Sequence, residues 1–400
     1  MKSNEAAEGA DDKIALDREI PDPLVVTEKL HAKRENILWA CKSNCLQAVR
    51  DLATTEGGLV TDSIRRKAWP LLLGLKNDGN EVQKEDLNNI SWKDLPPHPD
   101  EDQVKLDVNR SFIYYPTGLS LKELQLRKEQ LSDLIIEILR RSPYLSYFQG
   151  YHDICQVFML VLDSKKCAPA IARLSILRIR DFMLPTFFHT LEQLFLIPSV
   201  LHSINPKLWK HLSTTKPYFA LSATLTMFAH ELQDYDEVTR LFDVLLAREA
   251  VFSIYMYAQI ILQRSEELFQ IPADESDILH STLSKLPRPL GIDNLIENTI
   301  KLFEKHPPES LKEWQSISSF SVLKTARWPD QILHHSLDDG AEFFRKQARE
   351  QRQAETIEML RKTIWKYRKP AFTICLSISV GVLAIWIRIS LDKNYLSMIM

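Results

Sequence analysis

Glycine is scarce in this sequence, with ten in 400 residues, where average usage is roughly 7%. The shortage disfavours turn-dense barrels, propellers and glycine-rich nucleotide folds, and points to a mostly helical architecture. No glycine falls in a GxxxxGKS/T or GxGxxG pattern, so no phosphate-cradling loop of known type is present. The chain is therefore not expected to hold its own nucleotide. HExxH and GxSxG are absent as well, which removes two common hydrolase signatures. Neither sign of charge dominates: the formal net charge of −3 gives no pull toward nucleic acid. The five cysteines, Cys41, Cys45, Cys155, Cys167 and Cys375, are odd in number and scattered, which suggests reduced thiols. Cys41 and Cys45 lack a second ligand pair and read as packing thiols rather than a zinc site.

What is present is apolar periodicity. Apolar residues make up 45% and charged residues 26% of the chain, enough for a substantial core. Residues 1–27 are acidic, lack the basic start and apolar run of a secretory signal, and are expected to be disordered. Leu38, Cys41, Cys45, Val49 and Leu52 recur at helical spacing until Gly57-Gly58. Thr61-Asp62-Ser63 offers capping oxygens to a short helix that Gly74 closes. Residues 75–100 read as a long exposed connection. Helical patterning then runs densely from about 120 to 305, interrupted at Pro143, Pro185, Pro206, Pro217, Pro272, Pro287 and Pro289. Residues 306–369 are expected to form a charged linker and solvated helix.

Ala371 to Ile387 is a run of 17 uncharged residues, at the short end of the roughly 17–25 a spanning helix needs. With Lys362, Lys366, Arg368 and Lys369 upstream, the positive-inside rule keeps the N-terminal part in the cytoplasm. The expectation is a tail anchor over 370–389 with a lumenal tail at 390–400.

Two polar groups stand in apolar settings. Asp107 and Arg110 are three apart on one helical face; spacing alone allows either a surface ion pair or a carboxylate holding a guanidinium in place. Gln149-Gly150 lies between four aromatic residues, Tyr144, Tyr147, Phe148 and Tyr151, and an apolar helix. Its amide could cap that helix or be offered to a water or a partner. His152 and Asp153, adjacent on a helix, are expected to face different ways, with Asp153 in a local structural role.

Taken in order, Arg65-x-x-x-Trp69, Val104-x-x-Asp107-x-x-Arg110 and Tyr147-x-Gln149 resemble the RxxxW, IxxDxxR and YxQ motifs of the TBC domain, the module of Rab GTPase-activating proteins. The resemblance covers roughly residues 58–250 and extends to about 305, with Phe242-Asp243 similar to a late family motif. It implies an all-α, multi-helix TBC domain over 28–305 with one C-terminal transmembrane helix. It further implies a GTPase activator rather than an enzyme in itself, with no cofactor and no nucleotide site of its own. GTP and Mg2+ belong to the partner, a GTP-bound Rab-family GTPase, whose transition state an arginine in trans can stabilise. By motif position Arg110 is the arginine finger and Gln149 the glutamine finger. Asp107 would orient Arg110, Tyr147 would support the Gln149 loop, and Arg65 and Trp69 would be structural. The pairing with a membrane segment resembles the family's endoplasmic reticulum branch, implying a single-pass protein of that membrane acting in traffic to the Golgi. Val104 and Ser111 replace Ile and Thr conservatively, whereas Ala223 stands where Trp is common, so helix packing or the groove could differ there. The rival reading is a TBC-like scaffold that binds a Rab without stimulating hydrolysis.

Overall fold

The computed structural model describes residues 23–75 and 90–399, and no strand occurs among them. The first helices are α1 (Pro23–Lys42), α2 (Leu46–Thr54), α3 (Asp62–Leu72), α4 (Glu101–Val108), α5 (Leu121–Arg141), α6 (Tyr151–Val161) and α7 (Ser164–Leu177). After these come α8 (Phe188–Leu194), α9 (Leu196–Ile204), α10 (Pro206–His211), α11 (Leu221–Leu225), α12 (Tyr235–Ala247) and α13 (Phe252–Gln263). The chain continues with α14 (Ser265–Phe269), α15 (Ser276–Leu283), α16 (Ile292–Lys305), α17 (Val322–Thr325), α18 (Gln331–His334) and the long α19 (Leu337–Ile399).

Local sequence explains the clearest of these elements. Ser120 accepts the Glu123 amide while the Glu123 carboxylate takes the Ser120 amide at 2.9 Å, a reciprocal cap that starts α5. Leu131, Ile135, Ile138 and Leu139 follow at helical spacing and are buried, each worth about 1.5–3 kcal/mol against exposure. Arg140 near the end of α5 grips Glu101 through Nε at 2.6 Å and Nη2 at 2.9 Å, which ties α5 to the first turn of α4. Beneath them α6 is buried on nearly every side, between α3, α5 and α7. In the second half, α13 packs along α9 and α16.

Three expectations change. The periodicity of 38–52 predicts one helix, yet α1 and α2 are separate, because Asn44 takes φ +51° and the Cys45 amide turns back to the Ala40 carbonyl at 2.9 Å. Asn is one of the few residues that tolerates such a helix end. The patterning shows no proline interruption between Pro217 and Pro272, yet residues 252–269 divide into α13 and α14. Of the loop over 75–100, residues 76–89 lie outside the described residues, and Trp92–Asp94 forms a 3-10 turn.

The third change concerns 306–369, where a free linker was expected. Leu311, Trp314, Ile317, Val322, Leu323 and Ile332 all enter the core, as do Phe344 and Ala348 on α19. The charges of Arg345, Lys346 and Arg349 hide a buried face at helical spacing, so only part of the helix is solvated. From Thr356 to Arg368, and again over 377–388, every residue of α19 is exposed.

The membrane segment expected over 370–389 is not confirmed. Among the described residues no helix is long and apolar enough to cross a membrane, and the expectation is not borne out by them. The side chains of 371–373, 375 and 376 lie outside the described set, as does the terminal tail. Residues 1–22, most of the expected disordered segment, are also outside the described residues.

Candidate functional site

Asp107 sits on the last turn of α4 and has no exposed surface. It is therefore no surface ion pair. Its Oδ1 accepts Arg110 Nη2 and, at 3.1 Å, the Gln103 amide; its Oδ2 accepts the Tyr147 hydroxyl at 3.0 Å. The Arg110 side chain, by contrast, is 60% exposed. A fully buried carboxylate thus anchors one edge of a guanidinium whose remaining donors face solvent. That is the arrangement needed to offer a fixed positive fork to an external anion.

Tyr147 also holds its own loop. Its amide donates to Asp100 Oδ2 at 2.8 Å, and Asp100 directly precedes α4. The residue is pinned at backbone and side chain to the two ends of one helix. Burial first, and the nearby Asp107 second, push the Tyr147 hydroxyl well above its ordinary range, so it remains a proton donor. Two residues later Gln149 is exposed. Gln149 does not cap α6: the capping position belongs to Gly150, at φ +102°. A Cβ at Gly150 would lie 2.5 Å from Thr226 Cγ2, so both the left-handed backbone and the close approach require glycine.

His152 and Asp153 are in contact, contrary to expectation. His152 Nε2 lies 3.3 Å from Asp153 Oδ1, and His152 Nδ1 lies 3.2 Å from the Tyr147 hydroxyl. Burial lowers the His152 imidazole below its ordinary value against the pull of Asp153 and Asp107, and a neutral ring can donate on one side only. Asp153 Oδ2 pairs with His230 Nδ1 at 2.9 Å, and this hydrogen bond raises His230.

The RxxxW pair lies elsewhere. Arg65 and Trp69 converge on Asp243 of α12, which is completely buried. Trp69 Nε1 donates to Asp243 Oδ1 at 2.8 Å, Arg65 Nε to Oδ1 at 3.1 Å and Arg65 Nη2 to Oδ2 at 3.2 Å. The Leu59 amide adds a bond at 2.9 Å, and the Trp69 ring lies against Phe158 and Phe242. These contacts join α3 to α12 and leave neither side chain free for a ligand.

The Rab-GTPase-TBC domain model matches residues 62–269. The chain belongs to that family. The bovine TBC1 domain family member 20 is 37% identical over 267 residues, covering 66% of this chain and 64% of the relative. The match therefore spans less than two thirds of that relative's length. Its mouse counterpart is 33% identical over 72% of this chain and 73% of its own. The GTPase-activating protein gyp10 of Schizosaccharomyces pombe is 33% identical over 73% and 78% respectively. The solved Ypt/Rab-GAP domain of Gyp1p superposes with a TM-score of 0.51 at 15% identity, over 65% of this chain and 93% of that domain, a likeness of fold.

Within this TBC domain the structure adds residues the motif reading passed over. Gln156 of α6 is buried, and its Oε1 accepts the Phe112 amide at 2.8 Å. Phe112 follows the arginine by two and is held at φ +62°, an unfavourable conformation for a bulky residue. The one available signal was a polar residue between buried Ile154, Val157 and Phe158. Asp100 and Thr226 carried no such signal, since their partners are distant in sequence. Ala223, noted above as a departure from the resemblance, is buried on α11.

Proposed function

We propose that this chain accelerates GTP hydrolysis by a Rab-family GTPase, offering Arg110 and Gln149 together to the partner's terminal phosphate. GTP and Mg2+ are the partner's; this chain supplies side chains in trans. The observation that carries the reading is the pairing of two exposed groups on one buried support. Asp107 and Tyr147 are hydrogen-bonded to each other, Arg110 is held by the first, and Gln149 lies two residues beyond the second.

Hydrolysis spreads negative charge over the transferred phosphoryl oxygens, and an arginine supplied in trans is worth about 10³–10⁵ in rate. Arg110 matches that need because its charge is fixed before the partner arrives, avoiding reorganisation. The neutral Gln149 carboxamide carries both a donor and an acceptor and can orient the attacking water without titrating. Asp107 keeps Arg110 aimed, and Tyr147 keeps Asp107 and the glutamine turn together.

The same proposal places the protein at the endoplasmic reticulum membrane, attached through 371–387, with its partner the Rab of traffic to the Golgi. Ile378, Val380, Leu383, Ile385 and Ile387 are exposed on α19, which supports attachment. Recovery of the full chain in a soluble fraction after alkaline carbonate would remove that part of the proposal.

Single-turnover GTP hydrolysis by a panel of Rab proteins, with the full chain and with Arg110→Ala and Gln149→Ala, tests the rest. Each substitution should abolish most of the acceleration while the complex still forms. Full acceleration by Arg110→Ala would overturn the role assignment, and complex formation with unchanged turnover by the wild-type chain would favour the scaffold reading.

A further inference from the structure

The family match ends at residue 269, yet the base of the glutamine turn rests on a helix far beyond it. A Cβ at Gly340 would lie 2.3 Å from Ile176 Cγ2, so α19 crosses α7 at a distance that only glycine allows. One turn on, Phe344 is 4% exposed and its ring lies 5.0 Å from that of Tyr144. Tyr144 opens the run that leads to Tyr147 and Gln149. That run is held on two other sides: His98 Nε2 meets the Leu145 carbonyl at 3.0 Å, and the Ser146 amide donates to the Met183 carbonyl at 2.8 Å.

The seat of α19 is mixed in character. Gly340, Phe344 and Ala348 favour docking by close packing. Gln347, between them, is wholly buried, and neither polar atom of its amide finds a partner among the described residues. An unpaired buried amide opposes docking, because detachment would return it to water. Glu355 still accepts the Thr186 hydroxyl at 3.0 Å, and from Thr356 to Arg368 the helix is exposed.

We propose that the first turns of α19 are a releasable brace for the glutamine turn, with Phe344 a positioning residue that acts on Gln149 through Tyr144. This rests on the reading of Gln149 given above. Docked, the brace closes the third side of the 144–149 run. Undocked, it frees Tyr144, and the Gln149 backbone loses its fixed relation to Arg110. Whatever binds or bends the projecting part of α19 thereby gains a route to the site.

The test uses the full chain, with hydrogen exchange of amides 145–149 and single-turnover hydrolysis read together. Phe344→Ala should raise exchange there and lower the maximal stimulated rate roughly tenfold, leaving the half-saturating GTPase concentration unchanged. Phe344→Leu should restore most of both, and Gln347→Leu should slow the exchange. In a Gln149→Ala background Phe344→Ala should cause no further loss, since both act through one group. Unchanged exchange at 145–149 in folded Phe344→Ala, or losses that multiply in the double variant, would overturn the brace. If Phe344→Ala does not fold, Gln347→Leu decides, and exchange no slower than wild type counts against the proposal. Should the wild-type chain stimulate no GTPase, the functional reading fails while the exchange arm still judges the brace.

Discussion

The Tyr147 hydroxyl donates to Asp107 Oδ2 at 3.0 Å, and Asp107 has no exposed surface. One hydrogen bond therefore links the support of Arg110 to the loop that carries Gln149. Tyr147→Phe removes that bond and leaves packing nearly intact. A bond to a charged group is worth about 1.5–3 kcal/mol, so the folded state should lose about that much stability and the stimulated rate should fall roughly 10- to 100-fold. A rate within twofold of wild type would show that the two groups are held independently.

Gln156→Leu should act on the other side of Arg110. It strands the buried Phe112 amide, which Gln156 accepts at 2.8 Å, at a cost of about 1–3 kcal/mol. Because Phe112 is already left-handed, the segment should relax and Arg110 lose its aim. Gln156→Glu keeps the acceptor and should retain more activity than the leucine variant. Equal rates for the two variants would discard this role.

Asp243→Ala should unfold the protein more easily rather than alter its chemistry. It leaves the buried Arg65 without Asp243 and the Trp69 indole without its acceptor, and breaking such a pair costs about 3–5 kcal/mol. Denaturant titration measures this directly. A loss below about 1 kcal/mol would mean that α3 and α12 are held by their apolar contacts alone.

Gly150→Ala carries two separable penalties. The added Cβ meets Thr226 Cγ2 at 2.5 Å, and φ is +102°. Thr226→Ser removes the methyl but leaves the backbone strain, so the double variant should recover part, not all, of the lost activity. Complete recovery would assign the whole effect to the clash.

The pH dependence of the Asp153–His230 pair has a defined sign. His230 is raised above its ordinary value of 6.5 by its bond to Asp153. The pair therefore contributes fully below about 6.5 and is lost as pH rises through the folded value. An NMR titration should place the His230 midpoint above 6.5 and find it lowered in Asp153→Asn. An unchanged midpoint in that variant would rule out Asp153 as the cause.

Much of the site was legible because its motifs are local. Asp107 and Arg110, three apart, lie within reach of each other even though α4 ends at Val108 and Arg110 sits in the turn beyond it, and Gly150 after Gln149 marks a turn. The fold class was legible for a similar reason, since scarce glycine and helical periodicity act residue by residue. The α1–α2 break was not, because Asn44 adopts its left-handed turn only when the following segment packs back.

The sequence by itself determined which elements form and which side chains could carry chemistry, since periodicity, caps and short spacings act within a few residues. Only the tertiary structure decided that Asp107 is buried while Arg110 is not, that Arg65 and Trp69 serve Asp243, and that 306–351 belongs to the core. Each depends on groups from distant segments sharing one desolvated space, where an unpaired charge or amide is costly. That cost is set by three-dimensional neighbours, which a linear pattern does not contain.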